Sequence, residues 1–432
     1  MKTINVGLVG FGTVGTGVVK ILKEQAPLLE RRLAARLRLK RIADIDLTRP
    51  RDVEVDPKVL TTDAREVTED PAIDIVIELI GGTKAARDVS LAALRNGKHL
   101  VTANKALLAT HGLELFKAAA EKGVDLGFEA SVCGGIPIVR AVREGLVANR
   151  IRSIEGIVNG TCNYILTKMT EMGAPFSEVL KEAQEKGYAE ADPSLDIDGI
   201  DSAHKLQILA SIAYGGFVDF NAIYIEGIRG IDPADIQYAK ELGYRVKLLA
   251  IAKETDGEVE VRVHPTLVPE EHLVASVGGV FNAVYIVGNA TGSLMFYGQG
   301  AGQMPTASAV VSDVIEIAQN ILYQRPSRPS HISGIAGEGL RLKAMEAIRT
   351  YYYLRVMAVD KPGVLSKVSG ILGDHDISIA SVIQKGRHAR ASVPVVMMTH
   401  EAVEGAMRKA LAAIDALDVV GEKTVCIRVE EP

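Results

Sequence analysis

Residues Ile4 to Leu22, INVGLVGFGTVGTGVVKIL, decide the fold of the N-terminal part of this chain. Ile4 to Val9 is a short apolar run of strand length. It feeds directly into Gly10, Gly12 and Gly15 in GxGxxG spacing, after which a helix is expected from about Val14. In such a turn the first glycine permits the bend, the second lets backbone approach a pyrophosphate, and the third lets helix pack on strand. The N–H groups around Phe11, Thr13 and Val14 would then face the phosphates. A glycine turn that holds no ligand is the weaker reading, because the motif follows a strand and opens a helix.

The flanking sequence extends the pattern. A second strand, Leu39 to Ala43, ends at Asp44, the place of a ribose-binding acid. That acid usually follows the glycines by ~20 residues; here it comes later, as if the Arg31 to Arg38 stretch lengthened the first helix. Asp44 favours a free 2′-hydroxyl, as in NAD, whereas Lys40 and Arg41 would suit a 2′-phosphate. Further strands are expected at Ile73 to Ile80, before Gly81 and Gly82, and at His99 to Ala103, before Asn104 and Lys105, with a crossover helix from Ala85 to Asn96 between them. Strands alternating with helices argue an N-terminal Rossmann-type, doubly wound parallel sheet. The glycines and Lys105 all fall at the strand exits, where such sheets bind ligands.

With 432 residues the chain is long enough for two or three domains. Hydrophobic content of 47%, charged content of 24% and a net charge of -5 describe an ordinary globular protein with no basic surface for nucleic acid. No apolar run is long enough for a membrane span, and no targeting peptide precedes the first strand, so a cytoplasmic protein is expected. Cys133, Cys162 and Cys426 lack metal-ligand spacing and read as small packing residues in a reducing compartment.

From Val124 the pattern changes. Val124 to Phe128 reads as a buried strand leading to Glu129 and the loop SVCGGIP, followed by a helix from Ile138 to Leu146. Glu129 with backbone carbonyls could hold a hard cation; a plain glycine turn into the helix fits equally. Ile151 to Val158 alternates as a strand and ends in NGTCNYIL. Strand-like runs at Ile223 to Gly227, Val259 to Leu267 and Ala283 to Val287 suggest an open mixed sheet. Tyr297 to Thr306, YGQGAGQMPT, opens an apolar helix, Ala307 to Leu322, expected to pack back on the N-terminal domain.

The stretch Ala183 to Lys205, AQEKGYAEADPSLDIDGIDSAHK, crowds Glu190, Asp192, Asp196, Asp198 and Asp201 ahead of Lys205. So many carboxylates repel one another unless solvated, bound to a cation, or working on a substrate. Asp201 and Lys205 lie one turn apart on a helix that Gly215 and Gly216 would stop. A solvated acidic loop with a helix-surface ion pair remains an open reading from spacing alone.

The tail, Tyr351 to Glu430, reads as strand, helix, two strands, helix and strand, a ferredoxin-like βαββαβ order. Asp360, Pro362 and Gly363 turn into a helix from about Leu365, whose free N–H groups suit a carboxylate. A module that binds nothing and serves assembly is the alternative. Arg325 to Leu340, rich in Pro, Ser and Gly, reads as the linker.

These segments carry a resemblance. Ala183 to Lys205 is similar to the long signature of homoserine dehydrogenases, A-x3-G-[aromatic]-A-x2-D-P-x2-D-I-x-G-x-D-x3-K, at every position. VGFGTVGTGV, the TANK segment at Lys105, FEASVCGGIP, NGTCNYIL and GQGAGQMPTASAVVSDV are similar to that family and occur in its order. The resemblance spans roughly residues 1 to 325, and the tail looks like an ACT domain. It implies four parts: an NAD(P)-binding Rossmann domain (1–130), an α/β catalytic and dimerisation domain with an open mixed sheet (131–325), a linker (326–349) and an ACT domain (350–432).

The resemblance also implies the chemistry. The family interconverts L-homoserine and L-aspartate 4-semialdehyde with NAD or NADP, on the route to threonine, methionine and isoleucine. Reduction of the aldehyde builds an alkoxide that needs a proton and a positive neighbour. Lys205 takes the place of the proton donor, and Lys105 that of the second cation beside the nicotinamide; Glu190 and Asp201 would bind substrate and Asp196 would order them. Gly187, Gly302, Gly81, Asp44, Arg41 and the turn from Gly10 to Gly15 (Phe11, Thr13 and Val14 included) would line the cofactor. A monovalent cation, sodium or potassium, maps to Glu129, Val132, Gly134 and Ile136. L-Threonine is the expected effector, at Asp360, Gly363, Val364 and Leu365. A homodimer is expected, and ACT pairing could extend it to a tetramer.

Two departures stand out. Many relatives carry arginine after the ribose acid, where this chain has Ile45, which leans the expectation toward NAD. Gln299 replaces an expected proline. Two other readings compete with this one. An aspartate-semialdehyde dehydrogenase would need Cys133 as nucleophile. A non-catalytic ligand sensor would have no physical reason to keep the acid and lysine set.

Overall fold

The structure is a computed structural model that describes residues 2–327, 340–385 and 392–430. The apolar run at the N-terminus forms β1 (Thr3–Val9), buried along most of its length as a central parallel strand must be. It is joined by β2 (Arg36–Ala43), β3 (Leu60–Thr61), β4 (Ile75–Glu78), β5 (His99–Thr102) and β6 (Leu126–Gly127). All pair in parallel, in the order β3-β2-β1-β4-β5-β6. The order reverses between β1 and β4, which opens a crevice at the carboxyl ends of those strands. The expected doubly wound sheet is borne out.

Two local expectations need correction. The first helix is not lengthened by Arg31 to Arg38. Helix Thr13–Glu24 stops at Gln25, and a separate helix, Ala26–Leu33 with proline in its first turn, takes up the extra residues. The second strand starts at Arg36 rather than Leu39, because Arg36, Arg38, Lys40 and Arg41 hide its alternation.

The chain divides into two units: Met1–Arg152 with His204–Phe220 and Ile286–Leu340, and Ser153–Ala203 with Asn221–Tyr285 and Arg341–Pro432. In the first, helix Gln303–Leu322 shares a core with helix Thr13–Glu24 and the sheet. Val18, Val19, Leu22, Ala307, Val310, Val311 and Val314 are buried together, each large side chain contributing roughly 1.5–3 kcal/mol.

Further along come β7 (Ile151–Ile157), β8 (Tyr224–Ile225), β9 (Tyr244–Thr255), β10 (Glu258–Pro269), β11 (Phe281–Gly288) and β12 (Gly292–Gln299). The terminal module supplies β13 (Arg349–Val359), β14 (Ile379–Gln384), β15 (Ser392–Thr399), β16 (Ala402–Val403) and β17 (Val425–Val429). In the second unit the strands run β7-β9-β10-β17-β13-β15-β14. The sheet is mixed: β9 and β10 are antiparallel, whereas β10 is parallel to both β8 and β17. Helices Val364–Asp374 and Glu404–Asp415 complete the βαββαβ order and pack on β13 and β15.

The module is therefore edge-joined to the middle sheet and is also pinned by buried charge. Asp235, fully buried, accepts from Arg355 Nε (2.6 Å) and Nη2 (2.8 Å) and from the Tyr353 hydroxyl (2.8 Å). Of the expected linker, residues 328–339 lie outside the described residues, as does Ala391, the first residue of the third tail strand expected at Ala391 to Thr399. No described helix is long and apolar enough to cross a membrane.

Candidate active site

The glycine turn has the geometry its spacing promises. Gly10 has φ +101°, and a Cβ there would lie 2.5 Å from the Leu79 carbonyl carbon. A Cβ on Gly15 would lie 2.2 Å from the Gly10 oxygen, while one on Gly12 would meet nothing within 4 Å. The first and third glycines are thus sterically required, and the second leaves open space for a ligand. The Phe11 N–H donates to Asp44 Oδ2 (2.5 Å) and the Asp46 N–H to Asp44 Oδ1 (2.8 Å), which fixes the acid beside the turn.

The basic groups near Asp44 are arranged differently from expectation. Lys40 pairs with Asp70 (2.7 Å), and Arg41 donates to the Lys58 carbonyl (2.9 Å) beside Glu66. Arg51, which the sequence reading missed, stacks over the Phe11 ring, donates to the Phe11 carbonyl (2.7 Å) and lies 3.7 Å from Asp44. Its other donors reach the Arg49 and Asp46 carbonyls. Nothing in its spacing from the motif marks it. Ile45 is 95% exposed.

At the exits of β4 and β5, Gly81 and Gly82 are exposed. Asn104 caps helix Lys105–Lys122 by accepting the Leu107 N–H (3.0 Å), which makes Lys105 the first helical residue. The Asn104 amide also donates to the Gly82 carbonyl (2.7 Å), so the two exit loops are tied together.

Glu129 is buried, but its carboxylate is occupied. It accepts N–H groups from Val139 (2.9 Å) and Arg140 (2.8 Å) at the start of helix Ile138–Arg140. Burial pushes its carboxyl above the usual range, against those two bonds. A cation here would draw on main-chain carbonyls of Glu129, Val132, Gly134 and Ile136, hard oxygen donors that suit an alkali ion. Cys133 (φ +53°) and Gly134 (φ +41°) give this loop two successive left-handed residues. The Gly135 N–H donates to the Gln299 carbonyl (3.1 Å), which holds the loop against the glycine-rich turn. Gly302, at φ +129°, then leads into helix Gln303–Leu322. Among the described residues no group of three or more His, Cys, Asp or Glu side chains could hold a metal.

In the second unit the five carboxylates of the signature stand in different surroundings. Asp192 accepts from the Ser194 N–H (3.1 Å), and Asp198 pairs with Arg229. Glu190 and Gly187 are exposed. Asp196 and Asp201 share one donor: Asn159 Nδ2 lies 2.7 Å from Asp196 Oδ1 and 2.8 Å from Asp201 Oδ2. Asn159 Oδ1 accepts the Cys162 N–H (2.8 Å), capping helix Gly160–Met172. In the sequence Asn159 stands only as the first residue of NGTCNYIL, and nothing in its spacing marks the two acids it binds. Thr161 donates to the Tyr188 carbonyl (2.6 Å) and so anchors the Gly187 loop to the same helix. Helix Ile200–Tyr214 carries Asp201 and, one turn on, Lys205, which is counted with the first unit.

A doubly wound sheet with an open glycine turn and a tethered acid defines a dinucleotide-binding domain, here followed by an acid-and-lysine segment and a βαββαβ module. Residues 10–129 match the NAD-binding domain of homoserine dehydrogenase, 137–315 match homoserine dehydrogenase, and 352–419 match the ACT domain. The chain is 45% identical to the homoserine dehydrogenase of Neisseria gonorrhoeae, covering 100% of this chain and 99% of that one. It is 46% identical to that of Pseudomonas aeruginosa, covering 100% of both. A crystal structure of a homoserine dehydrogenase from Thiobacillus denitrificans superposes with a TM-score of 0.93 at 46% identity, over 100% of this chain and 99% of that one. The chain belongs to the homoserine dehydrogenase family of NAD(P)-dependent oxidoreductases.

Proposed function

We propose that this enzyme interconverts L-homoserine and L-aspartate 4-semialdehyde in the cytoplasm, on the route to threonine, methionine and isoleucine. One observation carries the reading: Asp201 and Lys205 stand one turn apart on a helix, and Asn159 binds Asp201 to Asp196. NAD(P), when bound, supplies or takes up the hydride. Lys205 gives a proton to the nascent alkoxide in reduction and removes it in oxidation, while Lys105 adds positive charge near the reacting oxygen. Glu190 and Asp201 hold the substrate's ammonium and hydroxyl, and Asp196 keeps Asp201 in place. Gly187, Gly302, Gly81 and the turn Gly10 to Gly15 line the cofactor.

Three features support the lean toward NAD. Ile45 carries no charge, Lys40 and Arg41 are engaged elsewhere, and Arg51 is held by three main-chain carbonyls and beside Asp44. Sodium or potassium would sit at Glu129 and the carbonyls of Val132, Gly134 and Ile136. The division at residues 130, 325 and 349 fits the family matches. Gly363, at φ +86°, opens helix Val364–Asp374 without a side-chain cap, which supports an effector carboxylate between Asp360 and Leu365. L-Threonine is the proposed effector, in a homodimer or a tetramer built from it.

The test is absorbance at the reduced-nicotinamide band with L-homoserine and NAD or NADP, with and without L-threonine. Homoserine-dependent reduction that threonine suppresses is expected. Lys205→Ala should abolish turnover and leave cofactor affinity nearly unchanged. No reduction by folded protein with either cofactor would overturn the reading, and full activity in Lys205→Ala would remove that residue from the mechanism.

A further inference from the structure

Beneath the exits of β4 and β5 lies a closed ring of hydrogen bonds that the mechanism above does not use. Glu78, the last residue of β4 and fully buried, accepts the Ile80 N–H on Oε1 (2.8 Å) and the Thr102 hydroxyl on Oε2 (2.6 Å). The Thr102 oxygen in turn accepts the Asn104 N–H (3.0 Å). The Asn104 amide closes the ring by donating to the Ile80 carbonyl (3.3 Å) and reaches on to the Gly82 carbonyl (2.7 Å). The donations converge on Glu78 by two routes: Asn104 to Thr102 and Thr102 to Glu78 on one side, Asn104 to Ile80 and Ile80 to Glu78 on the other. Both carboxylate oxygens act as acceptors, so the ring is complete only with the ionised acid.

A carboxylate placed in the core for packing would be a poor choice, since its burial opposes the charge. Burial pushes the Glu78 carboxyl up to about 7, and only the bonds from Thr102 and Ile80 pull against it. The ring joins two loops of different strands, one carrying Gly81 and Gly82 and the other carrying Asn104, the cap of the helix that Lys105 begins. A cap displaced by a fraction of an ångström moves the first helical residue with it.

We infer that Glu78, Thr102 and Asn104 form a positioning unit that fixes the Gly81–Gly82 loop and Lys105 for the nicotinamide end of the cofactor. Glu78, wholly buried and bonded to Ile80 and Thr102, acts through the loops. The inference rests on the proposed roles of Lys105 and Gly81.

The test uses the full-length chain with Thr102→Val, Thr102→Ser, Glu78→Gln and the double variant Glu78→Gln/Thr102→Val. Dissociation constants for NADH and NADPH are read by nucleotide fluorescence, kcat and KM by absorbance, and folding by circular dichroism and melting. Thr102→Val removes a hydrogen bond to a charged group, so about a ten-fold loss in cofactor affinity and in kcat is expected. KM for homoserine should change by less than about two-fold, and Thr102→Ser should restore most of the loss. Glu78→Gln is as large as glutamate but neutral and must reverse a bond. It should weaken cofactor binding several-fold in protein that melts no lower than the parent at pH 8. The double variant should be no worse than the poorer single one, as for parts of one unit. Unchanged cofactor affinity and kcat per folded molecule, with only melting altered, would overturn the inference and leave a structural ring. If the parent itself shows no homoserine-dependent reduction, the functional reading fails, and the nucleotide titrations alone still decide for or against the ring.

Discussion

Replacing Asn159 tests how the acidic segment is held. The side chain does three things at once: it caps helix Gly160–Met172 through Oδ1 and gives one N–H each to Asp196 and Asp201. Loss of an N-cap costs about 1 kcal/mol. Each hydrogen bond to a carboxylate is worth roughly 1.5–3 kcal/mol, and water entering beside half-exposed Asp196 recovers part of it. Asn159→Ala should therefore destabilise by about 4 kcal/mol, which lowers Tm by about 10 °C for a unit of this size. Asp196 and Asp201 would then lose the amide they share, and with it the tie that holds one to the other. KM for homoserine should rise by about ten-fold or more, with cofactor affinity unchanged. Asn159→Ser keeps an oxygen for the cap and lacks the amide. It should recover about 1 kcal/mol of stability without recovering KM. Differential scanning calorimetry and steady-state kinetics read both quantities. If Asn159→Ser matches the parent in Tm and in KM, the shared amide does not hold the site and the reasoning is refuted.

The ionisation of Glu78 gives a pH prediction. Its folded pKa of about 7 lies above its ordinary value of 4.5, so between those values the native state binds more protons than the unfolded chain, and stability falls as pH rises through the window. Glu78→Gln removes that penalty, so against the parent it should gain up to about 3 kcal/mol at pH 8 and little near pH 5, by urea unfolding; an equal effect at both pH values would contradict the assignment. Asp235 gives a second. Asp235→Leu leaves half-buried Arg355 and the buried Tyr353 hydroxyl without their acceptor and should cost about 3 kcal/mol, while the double variant Asp235→Leu/Arg355→Leu should recover the part due to the arginine. A double variant as unstable as the single one would show that packing rather than charge pins β13.

Much of the architecture was legible because its local signals agree with its tertiary outcome. The glycine motif, the apolar strands before it and after it, and the βαββαβ tail each obey one periodicity. The failures have physical causes. β9 went unread because Val246 to Ala252 is apolar at every position except Lys247, the signature of a strand buried on both faces, which periodicity cannot tell from a buried helix. A clear cue stood beside it: Asp256 and Gly257, both at positive φ (54° and 78°), form the two-residue turn that joins β9 to β10. The break at Gln25 was hidden for the opposite reason, since both flanking helices present good amphipathic sequence and only Pro27 marks the restart.

The candidate site was legible as a list of residue types and illegible as an arrangement. Five acids in the signature look alike in sequence, yet Asp192 turns to Ser194 and Asp198 to Arg229, leaving Asp196 and Asp201 to share Asn159. What separates them is a contact with a residue more than thirty positions earlier, and no spacing rule reaches that far. Arg51 is hidden in the same way. It lies close to Asp44 in the chain but is defined by the Phe11 ring and carbonyl, which the fold brings to it. Glu78 is the clearest instance, because a glutamate ending an apolar strand looks like ordinary surface until β5 sets Thr102 beside it. Residue type proposes the chemistry of a site, but the donor that reaches a carboxylate decides which acid can be spared for a substrate.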